Sequence, residues 1–230
     1  MTSHTVSAGW GASVALPSAP NVSLADHEAI WASPVGFGVR VSGSDWTVES
    51  TTSLLRRDPW VEVLEEHIKL PDGRRVDDFY TIRLRDFVVV AALTDVGSLV
   101  TVKHYRHGSR SETQGLPSGF IDDGENPVDA ARRELREEAG YEASDWLDLG
   151  HYVVDGNRGC GTEHVFLARG ARRVADPVHV DLAPTTVDVV ALDRAVDSMW
   201  NGEMRELACV AALALAVIRI NAESVSAGSP

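Results

Sequence analysis

Apolar and polar positions along the chain predict strands on both sides of one amphipathic helix. Alternating or continuous apolar runs predict seven strands, at residues 60–70, 79–84, 87–93, 99–105, 147–154, 164–168 and 187–192. A short hairpin is predicted over 35–50, and Pro71-Asp72-Gly73 predicts a turn between the first two strands. Asp193 is predicted to cap a short helix that ends near Asn201, and a longer apolar helix is predicted from Glu203 to about Ala222. This order indicates an α+β domain in which helices flank a mixed sheet.

The central helix has clear start and stop signals. Asn126 suits the N-cap and Pro127 suits the first helical position, where a missing N–H costs nothing. Gly140 suits the position just after the last helical residue. The preceding residues 115–119 contain two glycines, which predict a loop that lets the backbone approach a ligand. The segment is therefore predicted as loop, helix, loop.

Three carboxylates lie on one face of this helix. Glu134, Glu137 and Glu138 stand at positions i, i+3 and i+4, so their side chains are neighbours. Like charges at this spacing destabilise a helix unless something compensates them. Hard divalent cations such as Mg²⁺ and Mn²⁺ prefer carboxylate oxygens, so they are the expected compensation.

The segment GFIDDGENPVDAARRELREEAGY resembles the Nudix box, G-x5-E-x7-R-E-U-x-E-E-x-G-U, where U is a bulky apolar residue. All fixed positions match, and Tyr141 fills the last apolar place with an aromatic ring. The resemblance implies a Nudix-like α/β/α sandwich with a mixed sheet that holds the box as loop-helix-loop. It implies a Nudix hydrolase domain over residues 51–222. Residues 1–50 are then an N-terminal extension, partly disordered or a small accessory hairpin, and residues 223–230 a C-terminal tail.

Residues outside the box narrow the resemblance to one branch of this superfamily. The runs WVEVLEEHIKLPDGRRVDDFY, GLPSGFIDDGE and GTEHVFLA are similar to the ADP-ribose pyrophosphatase branch. That likeness implies metal-dependent hydrolysis of the pyrophosphate bond of a nucleoside diphosphate linked to X, with ADP-ribose giving AMP and ribose 5-phosphate as the leading reaction. Mg²⁺ or Mn²⁺ would be the cofactor. The alternative from another class is a catalytically weak Nudix-like sensor that binds a nucleotide sugar.

The resemblance also implies roles for individual residues. Glu134, Glu137 and Glu138 would bind the metal and act as catalytic residues. The carbonyl group of Ser118 would be a further metal ligand. The supporting residues would be Arg133, Glu125 and Gly119. The candidates for substrate binding are Arg106, Glu163, Trp60 and Tyr80. Arg106 is equally well explained as a solvated arginine at a strand end, and the two aromatic residues as core side chains.

The general base is left open because Thr185 and Thr186 stand where the branch has acidic residues. Asp181 or Asp188 would act from a shifted position, or a glutamate of the box would be the base, or the activity would be low.

Composition and charge limit the kinds of molecule that the protein is expected to bind. A net charge of −13 argues against a nucleic-acid surface, whereas a bound cation still permits a phosphate substrate. Two cysteines, Cys160 and Cys209, give no disulfide framework and favour a reducing compartment. The longest apolar run, 208–218, is about half the length of a membrane span, so no membrane partner is expected. We therefore expect a cytoplasmic homodimer that binds a small-molecule nucleoside diphosphate derivative.

Overall fold

The fold was described from a computed structural model, which covers residues 46–178 and 185–227. In these residues the strands are β1 (Thr47–Arg57), β2 (Val61–Lys69), β3 (Arg75–Arg83), β4 (Phe87–Thr94), β5 (Ser98–Arg106), β6 (Ser111–Gly115), β7 (Ser118–Phe120), β8 (Tyr141–Glu142), β9 (Asp145–Asp155), β10 (Gly159–Arg173) and β11 (Thr186–Ala191). The helices are α1 (Pro127–Ala139), α2 (Leu192–Asn201) and α3 (Leu207–Ala227). The described residues up to Asn221 belong to one compact unit.

The strands form a mixed sheet, as predicted. The main order is β1-β2-β3-β10-β4-β5-β11, with β6 on β5, β7 on β4, and β8 and β9 on β10. Strand β10 runs parallel to β3 and β4, whereas the other pairs are antiparallel. The predicted α+β architecture is confirmed, and each of the seven predicted strands is present with shifted ends.

A helical layer covers each face of the sheet. On β4, Val89 and Ala91 point towards α2 and α3, whereas Val88 and Val90 point towards α1. Both sets are fully buried, which explains why this strand is apolar throughout instead of alternating. The box helix and the long last helix therefore lie on opposite faces of the same strands.

Two predictions of local structure need correction, and a third lies mostly outside the described residues. The 115–119 segment contains the end of β6 and the start of β7, because its backbone pairs with β5 and β4 and so satisfies groups that a loop would leave unpaired. Asp193 lies in the first turn of α2, whose N-cap is Ala191 and has no side-chain cap. The hairpin predicted over 35–50 lies mostly outside the described residues, and its last residues begin β1.

The last helix is longer than predicted and bears on the membrane question. Residues Leu207–Val225 have a mean hydropathy of 1.7, so the helix is long and apolar enough, by length and composition alone, to cross a membrane. The expectation that no segment would meet this test is wrong. One stripe of the helix, including Ala212, Leu213 and Ala216, is buried against the sheet. Core helices of globular domains pass the same test, so the finding is weak support for a membrane span.

Candidate functional site

The box helix begins and ends as its sequence signals predict. The Asn126 side-chain oxygen accepts a hydrogen bond from the Val128 N–H at 3.1 Å, and Pro127 occupies the first helical position. Gly140 ends the helix with a φ of 74°, a left-handed conformation that favours glycine. These two ends set the rotation of the helix and therefore the direction of its acidic face.

Arg133 lies at the centre of the acidic cluster. Its guanidinium donates to both carboxylate oxygens of Glu125, at 2.9 and 2.8 Å. It also donates to Glu134 at 2.6 Å and to Glu137 at 3.4 Å. These hydrogen bonds, with that to Glu125 the strongest, raise the pKa of Arg133 and lower the pKa of Glu125. One cation thus holds three carboxylates in a fixed arrangement.

Glu134 is pressed against the backbone of Gly119. Its side chain is 12% exposed, and burial raises the pKa of its carboxyl group despite the opposing effect of Arg133. A Cβ atom added to Gly119 would overlap the Glu134 carboxylate. Space, and not backbone conformation, is therefore the reason for glycine at this position.

Glu138 links the helix to the short strand before it. The Ser118 N–H donates to Oε2 of Glu138 at 2.8 Å. The Glu137 side chain is 40% exposed, more than the side chains of Glu125 and Glu134. The structure thus brings Ser118, Gly119 and the box carboxylates together at one edge of the sheet.

The donor set fits a hard divalent cation in its chemistry. Three carboxylates surround one guanidinium, Glu138 lies beside them at the Ser118 N–H, and the buried Glu134 carboxyl has a raised pKa that a cation would lower. The side chains are turned towards Arg133 and the Ser118 N–H. In the described part of the chain, no group of three or more His, Cys, Asp or Glu side chains already converges as a metal site.

A cavity lies on the opposite face of the same edge strand. It has a volume of about 190 Å³ and is lined by Phe87, Val89, Arg106, Ser118, Gly119, Phe120, Glu206, Ala208 and Cys209. Ser118 and Gly119 belong both to this cavity and to the acidic cluster. The two parts of the candidate site are therefore separated by one strand of three residues.

Arg106 contributes to this cavity through an ion pair. Its Nε atom lies 3.2 Å from Oε2 of Glu206, the residue before α3, and 32% of its side chain is exposed. Burial acts to raise the pKa of Glu206, but His104 and Arg106 outweigh it and lower that pKa. Arg106 is thus not a free arginine at a strand end, and part of its side chain remains exposed.

Glu163 is the most unusual carboxyl group near the cavity. It is 7% exposed, and burial raises its pKa to about 7. Its buried Oε1 atom has no hydrogen-bond partner among the described residues. A buried acceptor without a partner costs free energy, so it marks a position where a ligand is expected.

The two aromatic candidates are exposed, so they are not core side chains. Trp60 is 61% exposed and meets the cavity residue Phe120 edge to face at 6.2 Å between ring centres. Tyr80 is 44% exposed, and its hydroxyl donates to Glu65 at 3.0 Å. Of these two residues, only Trp60 has a described contact with a residue that lines the cavity.

Of the two aspartates considered for the general base, Asp188 is described by the structure and is not brought to the box. Asp181 lies outside the described residues. Asp188 lines a separate cavity of about 510 Å³ together with Lys103, Arg194 and Glu203, and no residue of the box helix lines it. Thr186 begins β11, where its hydroxyl donates to the Lys103 carbonyl at 3.4 Å.

Phe120 and Glu206 are two of the cavity residues that the sequence did not identify. Phe120 directly follows the box glycine and pairs with Phe87 across β7 and β4. The alternation of side chains along β7 was the sequence signal that could have identified it. Glu206 gave no signal, because only the fold places the start of α3 beside Arg106.

Comparisons with known proteins agree with this geometry. The family model for the NUDIX domain matches residues 83–208. The chain is 36% identical over 121 residues to the ADP-ribose pyrophosphatase of Mycobacterium tuberculosis (strain ATCC 25618 / H37Rv), covering 51% of this chain and 58% of that protein. It is 30% identical over 108 residues to the ADP-ribose pyrophosphatase of Bacillus subtilis (strain 168), covering 47% of this chain and 58% of that protein.

The fold of this chain also resembles that of a solved structure. The crystal structure of an ADP compounds hydrolase superposes with a TM-score of 0.68 at 22% identity, covering 79% of this chain and 97% of that chain. The matches to the two pyrophosphatases each span less than two thirds of those proteins.

Proposed function

Because the chain belongs to the Nudix family, we propose that it hydrolyses the pyrophosphate bond of a nucleoside diphosphate linked to X. ADP-ribose is the leading substrate, with AMP and ribose 5-phosphate as products. The observation that carries the proposal is the cluster of Glu134, Glu137 and Glu138 beside Ser118, organised by Arg133. The two bacterial relatives are both ADP-ribose pyrophosphatases, which supports the choice of ADP-ribose.

The chemistry follows from the charge of the substrate. A pyrophosphate is anionic and repels hydroxide, so its hydrolysis needs charge neutralisation and an activated water. Members of the family generally use divalent metal ions, and a bound Mg²⁺ or Mn²⁺ supplies both effects. Glu134, Glu137, Glu138 and the Ser118 carbonyl would hold the ion.

The remaining residues of the cluster orient these ligands. Arg133 and Glu125 fix the side-chain rotamers through charge-assisted hydrogen bonds, which stabilise such arrangements more than neutral ones do. Gly119 leaves room for Glu134. The three together keep the carboxylates close without a cation.

The substrate contacts are assigned to both sides of the edge strand. Arg106 would contact a phosphate or ribose oxygen, and Trp60 would stack on a ring near Phe120. Tyr80 is a weaker candidate because its described contact is with Glu65. The base is assigned to Asp181 or to a box glutamate in preference to Asp188, which lines a different cavity.

The proposed setting is a cytoplasmic homodimer without a nucleic-acid or membrane partner. The net charge of −13 supports the first exclusion.

The deciding experiment is a substrate panel with Mg²⁺ or Mn²⁺. The panel contains ADP-ribose, other nucleoside diphosphate sugars and dinucleotides, and the release of AMP and ribose 5-phosphate is measured. We expect the highest kcat/KM for ADP-ribose and no turnover after chelation of the metal. A panel without turnover, combined with a ligand-induced rise in Tm, would instead support the nucleotide-sugar sensor.

The variant Glu138→Gln tests the metal site. Loss of one anionic ligand should lower kcat by at least about 100-fold while the Tm stays close to that of the parent. The matched control is Glu142→Gln, which removes an exposed carboxylate bonded to Arg136 beyond the end of the helix. Full activity of Glu138→Gln would show that the metal site is assigned to the wrong residues.

A further inference from the structure

Another cavity lies beside the box helix and is lined mainly by arginine side chains. It has a volume of about 320 Å³, and its lining residues, called the arginine cavity below, are Arg132, Arg133, Arg136, Glu142, Ala143 and Trp146. The three arginines come from α1, whereas the other lining residues come from β8, β9 and the connection between them. Arg132 and Arg136 are four residues apart, so their side chains are neighbours on one face of the helix.

The arginine cavity is positively charged although the protein as a whole is acidic. Its lining residues include three arginines and one glutamate, which gives a formal charge of +2, whereas the chain carries −13. Arginine is not deprotonated in proteins, so this charge does not depend on pH in the neutral range. A concave surface lined by one sign of charge attracts ligands of the opposite sign. The expected ligand of this cavity is therefore an anion.

Arg132 and Arg136 keep most of their hydrogen-bond donors available. Within the described residues, Arg132 donates one hydrogen bond to Asp129 at 2.9 Å, and Arg136 donates one to Glu142 at 2.7 Å. A guanidinium has five N–H groups, so four remain on each of these side chains. The two side chains are 54% and 62% exposed, so a ligand from solvent can reach these groups.

Arg133 gives the cavity charge but no available donor. Its guanidinium makes five hydrogen bonds, to three carboxylates of the box and to the Phe120 carbonyl group. These bonds use all of its N–H groups. An anion in the arginine cavity would therefore bond to Arg132 and Arg136 and leave the bonds of Arg133 to the box carboxylates in place.

Trp146 provides a fixed apolar wall. Its ring meets the Phe166 ring edge to face at 6.4 Å between centres, and its indole N–H donates to the Ala143 carbonyl at 3.2 Å. The Arg132 guanidinium lies 5.8 Å from the centre of the indole ring. The cavity thus combines two guanidinium groups with an aromatic surface whose orientation is set by its own contacts.

These features fit a phosphate monoester. Such a group carries a charge of about −1.5 to −2 near pH 7 and has three strong acceptor oxygens. Guanidinium groups bind phosphate oxygens through pairs of parallel hydrogen bonds. The volume of about 320 Å³ lies within the roughly 300–1,000 Å³ of small-molecule pockets, so it has room for more than a phosphate ion. The alcohol part of the ester would lie against Trp146.

We propose that the arginine cavity is a second binding site, in which Arg132 and Arg136 donate hydrogen bonds to the oxygens of a phosphate monoester. The products of the proposed hydrolysis, AMP and ribose 5-phosphate, each carry such a terminal phosphate. The two phosphates of ADP-ribose are internal and carry one charge each, so the cavity binds product in preference to substrate. This preference rests on the proposed function, whereas the binding of a phosphate monoester does not.

Calorimetry without divalent metal tests the site, with ribose 5-phosphate titrated into the full chain at constant ionic strength. In the double variant Arg132→Gln/Arg136→Gln its Kd should rise at least about tenfold, because two charge-assisted contacts are lost. The kcat/KM for ADP-ribose with Mg²⁺ should stay within about twofold of the parent value, because neither arginine bonds to a box carboxylate within the described residues. The Tm should change little, because both arginines lose only exposed ion pairs.

Inorganic phosphate distinguishes a site for an ester from a site for the free ion. Ribose 5-phosphate should bind at least about threefold more tightly than inorganic phosphate, because the cavity also receives its sugar beside Trp146. Equal Kd values for the two ligands would contradict the assignment of an ester.

Arg74→Gln is the matched control, because it removes an exposed arginine that pairs with Asp72 in the β2–β3 turn, and it should bind ribose 5-phosphate as the parent does. Arg106→Gln reports on the cavity of about 190 Å³. A Kd for ribose 5-phosphate that rises in Arg106→Gln but not in the double variant overturns the proposal. Failure of ribose 5-phosphate to bind the parent protein also overturns it, whether or not the double variant folds.

The two proposals fail in different ways. Binding of ribose 5-phosphate that is lost in the double variant, without any hydrolysis of ADP-ribose by the parent, refutes the proposed function alone. Hydrolysis of ADP-ribose by the parent, with an unchanged Kd for ribose 5-phosphate in the double variant, refutes the arginine cavity alone.

Discussion

At the scale of single residues, close packing explains the candidate site better than charge alone. Gly119 and Glu134 are far apart in sequence, yet the carboxylate of one occupies the space that a side chain of the other would need. Glu134 is consequently buried, and its pKa is raised by that burial. The glycine thus acts on the electrostatics of the site although it carries no charge.

The variant Gly119→Ala should affect ligand binding more than stability. The added methyl group meets the end of a flexible side chain, so the free energy of unfolding should fall by no more than about 1 kcal/mol. Displacement of Glu134 should raise the Kd for Mn²⁺ by about tenfold, measured by calorimetry. Gly108→Ala is the control, because no atom lies within 4 Å of its added Cβ. Equal Mn²⁺ affinity in both variants would remove Glu134 from the metal site.

Sequence spacing predicted the acidic face, but it did not predict the state of Glu163. Helical periodicity fixes which of Glu134, Glu137 and Glu138 are neighbours, and the structure has them side by side on α1. The burial of Glu163 depends on the layer that α3 places over β10, which no local pattern encodes. Long-range packing therefore decides which acids titrate near neutral pH.

At the scale of elements, the box helix is defined by its two ends. The Asn126 side chain caps the N-terminus, and Gly140 has the positive φ that ends the helix. Its Ala130, Ala131 and Leu135 side chains are buried, so the opposite face carries the carboxylates.

The variant Asn126→Ala should lower the free energy of unfolding by about 1 kcal/mol, because the Val128 N–H loses its acceptor. Urea unfolding measures this change. Asn126→Asp keeps an oxygen acceptor at the same place and should retain most of the stability. If the Asp variant is as unstable as the Ala variant, the hydrogen bond is not the source of the stabilisation.

Elements with strong local sequence signals were predicted, whereas strands that form only by pairing with another strand were not. The apolar run of β4 and the caps of α1 are encoded locally, and both appear as predicted. Strand β7 has only three residues and forms because it pairs with β4. Strand β1 is exposed along its whole length, so its sequence has no buried alternation from which it could be predicted.

At the scale of the whole molecule, the site spans both faces of one sheet. The carboxylates project from α1 on one face, and the cavity lies below α3 on the other. The strand Ser118–Phe120 is the boundary between them. A ligand that reached both parts would have to pass around this strand.

The predicted homodimer has a natural candidate surface on the first three strands. Large apolar side chains are exposed there, namely Val48, Leu54, Leu55, Trp60 and Tyr80. Apolar clusters of this kind often mark protein–protein contacts. We expect analytical ultracentrifugation to show twice the mass of one chain. Leu54→Lys should raise the dimer Kd at least about tenfold, whereas Val96→Lys, at an exposed turn, should not. A monomeric parent protein would contradict the prediction.

The hydrogen bonds of Arg133 have a consequence for the thermodynamics of metal binding. Because they order Glu125, Glu134 and Glu137 within the folded chain, the loss of side-chain entropy is already part of the folding free energy. A cation then meets preorganised ligands, and its binding entropy reflects mainly the release of water. If these carboxylates bind the ion as proposed, the same bonds would have to break in part as the side chains turn towards it, so the enthalpy of these bonds would be exchanged for a site that is assembled in advance.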